Sequence, residues 1–175
     1  MASLSLKGRL LVALPVLRDQ NFDRTVVYIV EHSADDGAVG VILNRPSPLA
    51  LSEPLPTWAL LAPEPRVIFF GGPVGRGGAI GLGERAGDLL TVDLEKDPFD
   101  GPDEPVQRVR VYAGYAGWTA GQLEDEIAAG AWVVVDAAPG DVMTEDPEGL
   151  WPEVLRRQGG GLAAVATFPD DPTLN

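Results

Sequence analysis

The chain contains no cysteine, only one histidine, and no uninterrupted apolar segment long enough to span a membrane. Without thiols, disulfide bridges, cysteine nucleophiles and cysteine-bound zinc are all excluded. The absence of disulfides is typical of a reducing compartment, so we expect a cytoplasmic protein. The apolar run at residues 10–17 is interrupted by Pro15 and followed by Arg18 and Asp19, which excludes a signal peptide. We therefore predict a buried strand there and no contact with a membrane.

Basic residues are also scarce. The 13 Lys and Arg residues face 26 Asp and Glu residues, which gives a formal net charge of −13. Such a charge repels the phosphate backbone of nucleic acids, and no local basic patch compensates for it. Direct nucleic-acid binding is therefore not expected.

The length and composition predict one folded domain. A chain of 175 residues with 45% hydrophobic residues can bury one substantial core without disulfides or metals. We assign residues 1–175 to a single domain, with residues 168–175, rich in proline and aspartate, as an extended C-terminal tail.

Hydrophobic patterns predict strands interspersed with short helices. The predicted strands cover residues 9–14, 25–30, 38–43, 66–70, 79–82, 89–94, 106–112 and 131–135. The predicted helices cover residues 57–61, the segment after Trp118, and residues 147–158. Hairpins in the first half of the chain indicate an α+β fold with a mixed sheet rather than a doubly wound parallel sheet.

The segment 112–127 is the most informative part of the chain. We expect a strand to end near Tyr112, to turn through three closely spaced glycines, and to present Trp118 before a helix. Thr119 and Gln122 have the spacing of a capping box, and Trp118 and Leu123 have that of a hydrophobic staple. Gly130 marks the end of this helix.

Two loops that follow strands contain candidate binding residues. Pro46 restricts Arg45 to an extended backbone after Asn44, which directs the guanidinium away from the sheet. A binding role for Arg45 and a surface ion pair with a neighbouring carboxylate both remain open. The glycine-rich segment 70–78, which includes Gly72 and Pro73, is either a sharp turn or an anion cradle in which Arg76 participates.

His32 and Glu126 are the candidates for catalysis. His32 is the only histidine and therefore the only candidate general base at neutral pH, but the adjacent Glu31 points to the opposite face of the strand. Gln122 and Glu126 lie one helical turn apart, so they either line a cleft with Trp118 or serve as a cap and a solvated carboxylate.

Two other sequence patterns lack the features that their functions require. Residues 81–86 match the letters of a dinucleotide-binding turn, but a strand-like run rather than a helix follows them. The acidic segment 97–104 lacks the spacing of a calcium loop. We therefore predict no metal and no cofactor.

Taken together, several segments resemble the AlgH/YqgE family of bacterial proteins. The matching segments cover almost the whole chain and are specific by their order and number. They are Gly8-Arg-Leu-Leu-Val-Ala-Leu-Pro15, Phe22-Asp-Arg24, Glu31-His32, Gly37-Ala-Val-Gly40, Asn44-Arg-Pro46, Gly71-Gly-Pro-Val74, Gly114-Tyr-Ala-Gly-Trp118, Gly121-Gln-Leu-Glu124 and Gly130-Ala-Trp132. The chain departs from the family after Ser47 and near Pro98, which affects no motif.

The resemblance implies a single α+β domain with a mixed, partly barrel-like sheet surrounded by helices. It implies no established enzymatic activity, and some family members are labelled as transcriptional regulators. Our main hypothesis is a regulatory or adaptor protein that binds a small molecule or a protein where three loops converge. The predicted site comprises Asn44, Arg45, Gly72, Pro73, Trp118, Gln122 and Glu126. The alternatives are a transcriptional regulator that acts on DNA directly or indirectly, and an enzyme that uses His32 or Glu126.

Overall fold

A computed structural model of the chain describes residues 5–17, 19–101 and 104–167, so the predicted tail at 168–175 lies outside the described residues. The strands are β1 (Arg9–Ala13), β2 (Val26–Ser33), β3 (Gly37–Ile42), β4 (Pro46–Ala50), β5 (Val67–Phe70), β6 (Val74–Arg85), β7 (Asp88–Val92), β8 (Arg108–Trp118) and β9 (Trp132–Asp136). The helices are α1 (Pro56–Ala59), α2 (Gln122–Ala128), α3 (Leu150–Gln158) and α4 (Gly160–Val165), and a 3-10 turn (Pro147–Gly149) leads into α3.

The strands form one open mixed sheet. Its main order is β4-β5-β8-β3-β2-β1-β9, while β6 pairs with β8 and with β7. β5 and β8 are parallel, and the other paired strands are antiparallel. The long β8 joins the two halves, because its first part pairs with β6 and its end pairs with β3. The predicted α+β fold with a mixed sheet is confirmed.

The predicted end of a strand near Tyr112 is wrong, because β8 continues through the glycines to Trp118. Gly114 lies where β8 and the chain at Gly72 approach closely. A side chain at Gly72 would overlap the backbone carbonyl of Tyr115, and one at Gly114 would overlap the carbonyl oxygen of Gly72. The absence of a side chain at these two glycines therefore allows the backbones to pack.

Three further elements differ from the sequence-based expectation. Residues 46–65 are rich in proline and contain β4 (Pro46–Ala50). The prolines of β4 are tolerated because this strand lies at the edge of the sheet. The glycine-rich connection is part of the twelve-residue β6, of which residues 79–82 had been predicted. The chain also re-enters a helix, α4, directly after Gly159.

The predicted capping interaction before α2 is only partly present. The helix begins at Gln122, with Gly121 as its N-terminal cap in a left-handed conformation (φ 80°). The amide of Thr119 nevertheless donates to the side-chain oxygen of Gln122 at 3.0 Å, which is one half of a capping box. Trp118 and Leu123 belong to the same buried cluster, as a hydrophobic staple requires.

A buried arginine in β8 connects two loops to the sheet. Arg110 is 2% exposed, and its guanidinium donates to the carbonyl oxygens of Val142, Thr144, Pro63 and Glu64 at 2.6–3.3 Å. Burial lowers the pKa of Arg110 from its ordinary value. Because the four acceptors come from two loops, one side chain fixes both loops against the sheet.

Candidate functional site

Three of the predicted site residues lie together around a small recess. Arg45, Gly72 and Pro73 line a cavity of about 180 Å³. Its other lining residues are Asn21, Ile42, Phe70 and Arg76. Residues from three separate loops and strand ends therefore meet, and we call this cavity the arginine recess.

Arg45 is held in place by backbone carbonyls. Its Nη1 donates to the carbonyl oxygens of Gln20 at 2.9 Å and Asn21 at 2.7 Å, and its Nη2 donates to that of Asp23 at 3.0 Å. Burial lowers the pKa of Arg45, while the carboxylates of Asp23 and Asp19 act in the opposite direction. Among the described residues no acceptor binds its Nε–H or its second Nη2–H, so both can reach a further acceptor.

Asn44 positions this loop rather than facing the recess. Its Oδ1 accepts from the amide of Val26 at 2.9 Å, and its Nδ2 donates to the carbonyl oxygen of Arg24 at 2.9 Å. The oxygen and the NH2 group of this side-chain amide therefore both make hydrogen bonds, which join the end of β3 to the start of β2.

Arg76 reaches the recess from a bulge in β6. The ladder between β6 and β8 pairs Val74 with Tyr115 and then Ala79 with Ala113, so the residues between Val74 and Ala79 project out of register. Bulges of this kind redirect side chains. Arg76 is exposed, and it makes no ion pair with another residue of the described ranges.

Trp118, Gln122 and Glu126 do not line the recess. Trp118 is only 6% exposed, and its Nε1 donates to Oε1 of Glu126 at 3.0 Å. The Nε1 of Trp132 donates to the same oxygen at 3.0 Å, and Nε2 of Gln122 donates to Oε2 at 2.9 Å. We call these four residues the indole cluster.

One loop links the indole cluster to the recess. The ring of Phe22 lies 6.2 Å from that of Trp118 and 5.6 Å from that of Trp132, measured between centroids. Phe22 is part of the loop whose carbonyls Arg45 binds at positions 20, 21 and 23. Phe22 is half-buried against the core cluster that contains Trp118 and Trp132, and its packing holds the loop that forms one wall of the recess.

His32 has no free ring nitrogen. Its Nδ1 accepts from the amide of Leu6 at 3.0 Å, which places the proton on Nε2, and Nε2 lies 2.9 Å from Oε1 of Glu124. The side chain of His32 is 4% exposed. The orienting carboxylate comes from α2 rather than from Glu31, and this arrangement joins the N-terminal segment to α2 without leaving a base available.

Phe70 and Asn21 also line the recess, although neither was among the predicted site residues. Phe70 ends a predicted strand, and its exposure at the end of β5 (44%) is visible only in the structure. Asn21 carried no sequence signal, since polar residues are common in turns.

Among the described residues, no helix combines the length and apolar character that a membrane span requires. In the same ranges, no group of three or more His, Cys, Asp or Glu side chains could hold a metal ion.

Comparison with known proteins identifies relatives over nearly the whole chain. A UPF0301 protein of Streptomyces coelicolor is 51% identical over 187 aligned positions, covering 98% of this chain and 96% of the relative. A UPF0301 protein of Mycobacterium tuberculosis is 45% identical over 183 positions, covering 96% of this chain and 90% of the relative.

Solved structures show the same fold. A crystal structure of a Corynebacterium diphtheriae protein matches with a TM-score of 0.85 at 31% identity, covering 96% of this chain and 95% of the other. The solution structure of the AlgH protein from Pseudomonas aeruginosa matches with a TM-score of 0.68 at 31% identity, covering 95% and 96%. A family model described as AlgH-like matches residues 10–163. The chain therefore belongs to the AlgH-like family.

Proposed function

We propose that this chain is a regulatory or adaptor protein that binds an anionic group of its partner in the arginine recess. The observation that carries this proposal is the meeting of Arg45 and Arg76 at one cavity of a chain with a net charge of −13. On such an acidic protein, two guanidinium groups at one recess concentrate positive charge locally, beside the carboxylates of Asp19 and Asp23 that act on Arg45. Planar guanidinium groups recognise carboxylates and phosphates with paired hydrogen bonds.

The small size of the recess indicates how much of the partner enters it. Small-molecule sites usually measure about 300–1,000 Å³. A cavity of about 180 Å³ accommodates a single charged group with a short apolar attachment. The remainder of the partner would lie outside, where Phe70 and Val74 are 44% and 42% exposed. This arrangement favours the end or side chain of a larger molecule over a wholly enclosed metabolite.

The two arginines would have different tasks. Arg45 is already oriented by three carbonyl oxygens, so it provides a fixed anchor with little loss of side-chain entropy on binding. Arg76 is exposed on its bulge and would close on the bound anion. The predicted roles of Trp118, Gln122 and Glu126 are then indirect, since they support the loop that Arg45 binds.

The two alternatives receive less support. A regulator that contacts DNA directly would need a contiguous basic surface, and the net charge of −13 opposes it. An enzyme that uses His32 would need a free ring nitrogen, but both are engaged. Glu126 likewise has both oxygens occupied by donors from Trp118, Trp132 and Gln122.

A binding experiment tests the proposal. The protein is titrated with phenylphosphate, phenylacetate and neutral phenylethanol while the side-chain Nε–H resonances of Arg45 and Arg76 are recorded. We expect the two anions to shift both resonances and phenylethanol to leave them in place. Arg76→Ala should weaken anion binding by about tenfold or more, as loss of a charge-assisted hydrogen bond predicts.

Arg156→Ala provides the matched control, because Arg156 is also exposed and lies at the end of α3, away from the recess. A partner retained from a cell extract by the wild-type and Arg156→Ala proteins, but not by Arg76→Ala, would extend the result to the natural partner. Anion binding of equal strength in all three proteins would refute the role of the recess.

A further inference from the structure

A second and larger cavity lies on another part of the sheet. Its volume is about 500 Å³, which is within the range of about 300–1,000 Å³ typical of small-molecule sites. The lining residues that bear on its chemistry are Tyr28, Glu84, Asp88, Leu89, Arg108 and Ala138. We call it the Tyr28 cavity, and it shares no lining residue with the arginine recess.

One wall of the Tyr28 cavity offers a hydrogen-bond acceptor beside a donor. Glu84 and Arg108 are directly paired across the ladder of β6 and β8, and Oε2 of Glu84 lies 2.7 Å from Nη2 of Arg108. Their side chains are 21% and 43% exposed, so both remain accessible. Oε1 of Glu84 and the other N–H groups of Arg108 retain capacity for a ligand.

The other walls suit a flat apolar ring. Tyr28 and Leu89 are half-buried and contribute an aromatic ring and an aliphatic side chain to the lining, whereas Val142 and Met143 are buried. The hydroxyl of Tyr28 makes no hydrogen bond within the described part of the chain. Burial raises the pKa of Tyr28, so this hydroxyl is protonated at neutral pH and can donate.

The loop that closes the cavity is held rigidly. Oδ2 of Asp141 accepts from the amide of Ala138 at 2.7 Å, and Arg157 binds both oxygens of Asp141 at 2.9 and 2.8 Å. Asp141 is buried. A loop fixed by a bidentate ion pair keeps the cavity preformed, which lowers the entropic cost of binding.

The charges of the lining select against anions. Glu84 and Asp88 contribute two carboxylates against the single guanidinium of Arg108, within a chain of net charge −13. A phosphorylated ligand would be repelled, whereas a neutral ligand would not.

We propose that the Tyr28 cavity binds a neutral, flat heterocycle with N–H donors next to a carbonyl acceptor, the hydrogen-bonding edge found in guanine. The free carboxylate oxygen of Glu84 accepts from the ring N–H and the adjacent exocyclic amino group, and Arg108 donates to the carbonyl. The ring packs against Tyr28 and Leu89. This site is separate from the arginine recess and stands independently of the function proposed for it.

The probe is guanosine, with 1-methylguanosine and guanosine 5′-monophosphate for comparison, and binding is measured by isothermal titration calorimetry. We expect guanosine to bind, and 1-methylguanosine, which lacks one ring N–H, to bind about tenfold or more weakly. The monophosphate should also bind more weakly, with a difference that shrinks as salt is added. Failure of guanosine to bind up to its solubility limit would overturn the proposal, as would equal affinities for all three compounds.

Variants locate the binding. Glu84→Gln replaces an acceptor oxygen with a donor, so guanosine affinity should fall about tenfold or more. Glu64→Gln is the matched control, because Glu64 is exposed and pairs only loosely with Arg66 at 3.8 Å. Ala138→Trp, which fills the cavity, should also abolish binding, with thermal unfolding recorded to verify that it folds.

The same measurement separates the two sites. Arg76→Ala should leave guanosine affinity unchanged, whatever its effect on anion binding in the recess. If Glu84→Gln retained wild-type affinity, guanosine would be bound elsewhere and the assignment to the Tyr28 cavity would be refuted.

Discussion

The indole cluster and the arginine recess both combine charged groups with aromatic rings, yet they differ in whether their hydrogen bonds are complete. In the cluster, Glu126 accepts from two indoles and one amide, and Trp118 is buried. In the recess, Arg45 has unused N–H groups and Arg76 has no ion-pair partner in the described ranges.

This difference shows that a conspicuous sequence pattern and an available site are separate properties. A partly buried polar network whose members are hydrogen-bonded to one another stabilises one arrangement of the chain. A group with unused capacity at the surface can instead bind another molecule. Trp118 and the glycines of segment 112–127, which are conspicuous in the sequence, therefore stabilise the fold. Arg76, which is less conspicuous, lines the recess.

Trp118→Ala should give the largest effect and the sharpest test of the comparison. Removing a buried indole leaves a cavity and takes one donor from Glu126, so the free energy of unfolding should fall by about 3–5 kcal/mol. Urea denaturation monitored by circular dichroism measures the loss. Trp118→Phe, which keeps an aromatic ring, should lose less. A near-wild-type stability for Trp118→Ala would mean that the cluster is not structural.

Arg45→Ala should have an intermediate effect, because Arg45 both holds a loop of the fold in place and lines the recess. Three backbone carbonyls lose their donor, which should lower the free energy of unfolding by about 1–3 kcal/mol. Anion binding should be lost as well. The same denaturation and titration experiments measure both quantities. A loss of anion binding without any loss of stability would show that Arg45 does not stabilise the loop whose carbonyls it binds.

Tyr112→Phe tests an unsatisfied polar group in the interior. Tyr112 is fully buried, and its hydroxyl has no hydrogen-bond partner among the described residues. Removing this hydroxyl should leave stability unchanged or raise it by up to about 1 kcal/mol. A loss of more than about 1 kcal/mol would show that the hydroxyl has a partner, such as an ordered water.

The Tyr112→Phe variant should also change how the free energy of unfolding depends on pH. Burial raises the pKa of Tyr112 above its ordinary value near 10, so the folded state holds this proton more tightly than the unfolded state. The contribution of the Tyr112 proton to the free energy of unfolding is therefore constant below about pH 10 and decreases as the pH rises above this value. Denaturation between pH 8 and 11 should therefore show a shallower decline for Tyr112→Phe, with Tyr28 providing part of the remaining slope.

Arg76→Ala should have the smallest effect on stability, within about 0.5 kcal/mol of the wild-type protein, because an exposed side chain without an ion pair supports little. Its effect should appear only in anion binding. A marked loss of stability would remove the distinction between the recess and the indole cluster.

Much of the fold could be predicted from local patterns. The β-branched runs in β2 and β9 and the amphipathic α3 were recognisable because their periodicity is a property of short segments. The path of β8 through its glycines was not, since a glycine that serves a turn and one that serves a close approach look identical in sequence. The contact between His32 and Glu124, which are 92 residues apart, was equally inaccessible.

Residue order and nearest-neighbour preferences were enough to predict the α+β class, the family resemblance and most strands. That Arg45 and Arg76 share a recess while Trp118 is buried beside Glu126 became visible only in the folded chain. The physical reason is that such meetings depend on strand register and on one bulge in β6, which set the position of distant side chains relative to each other.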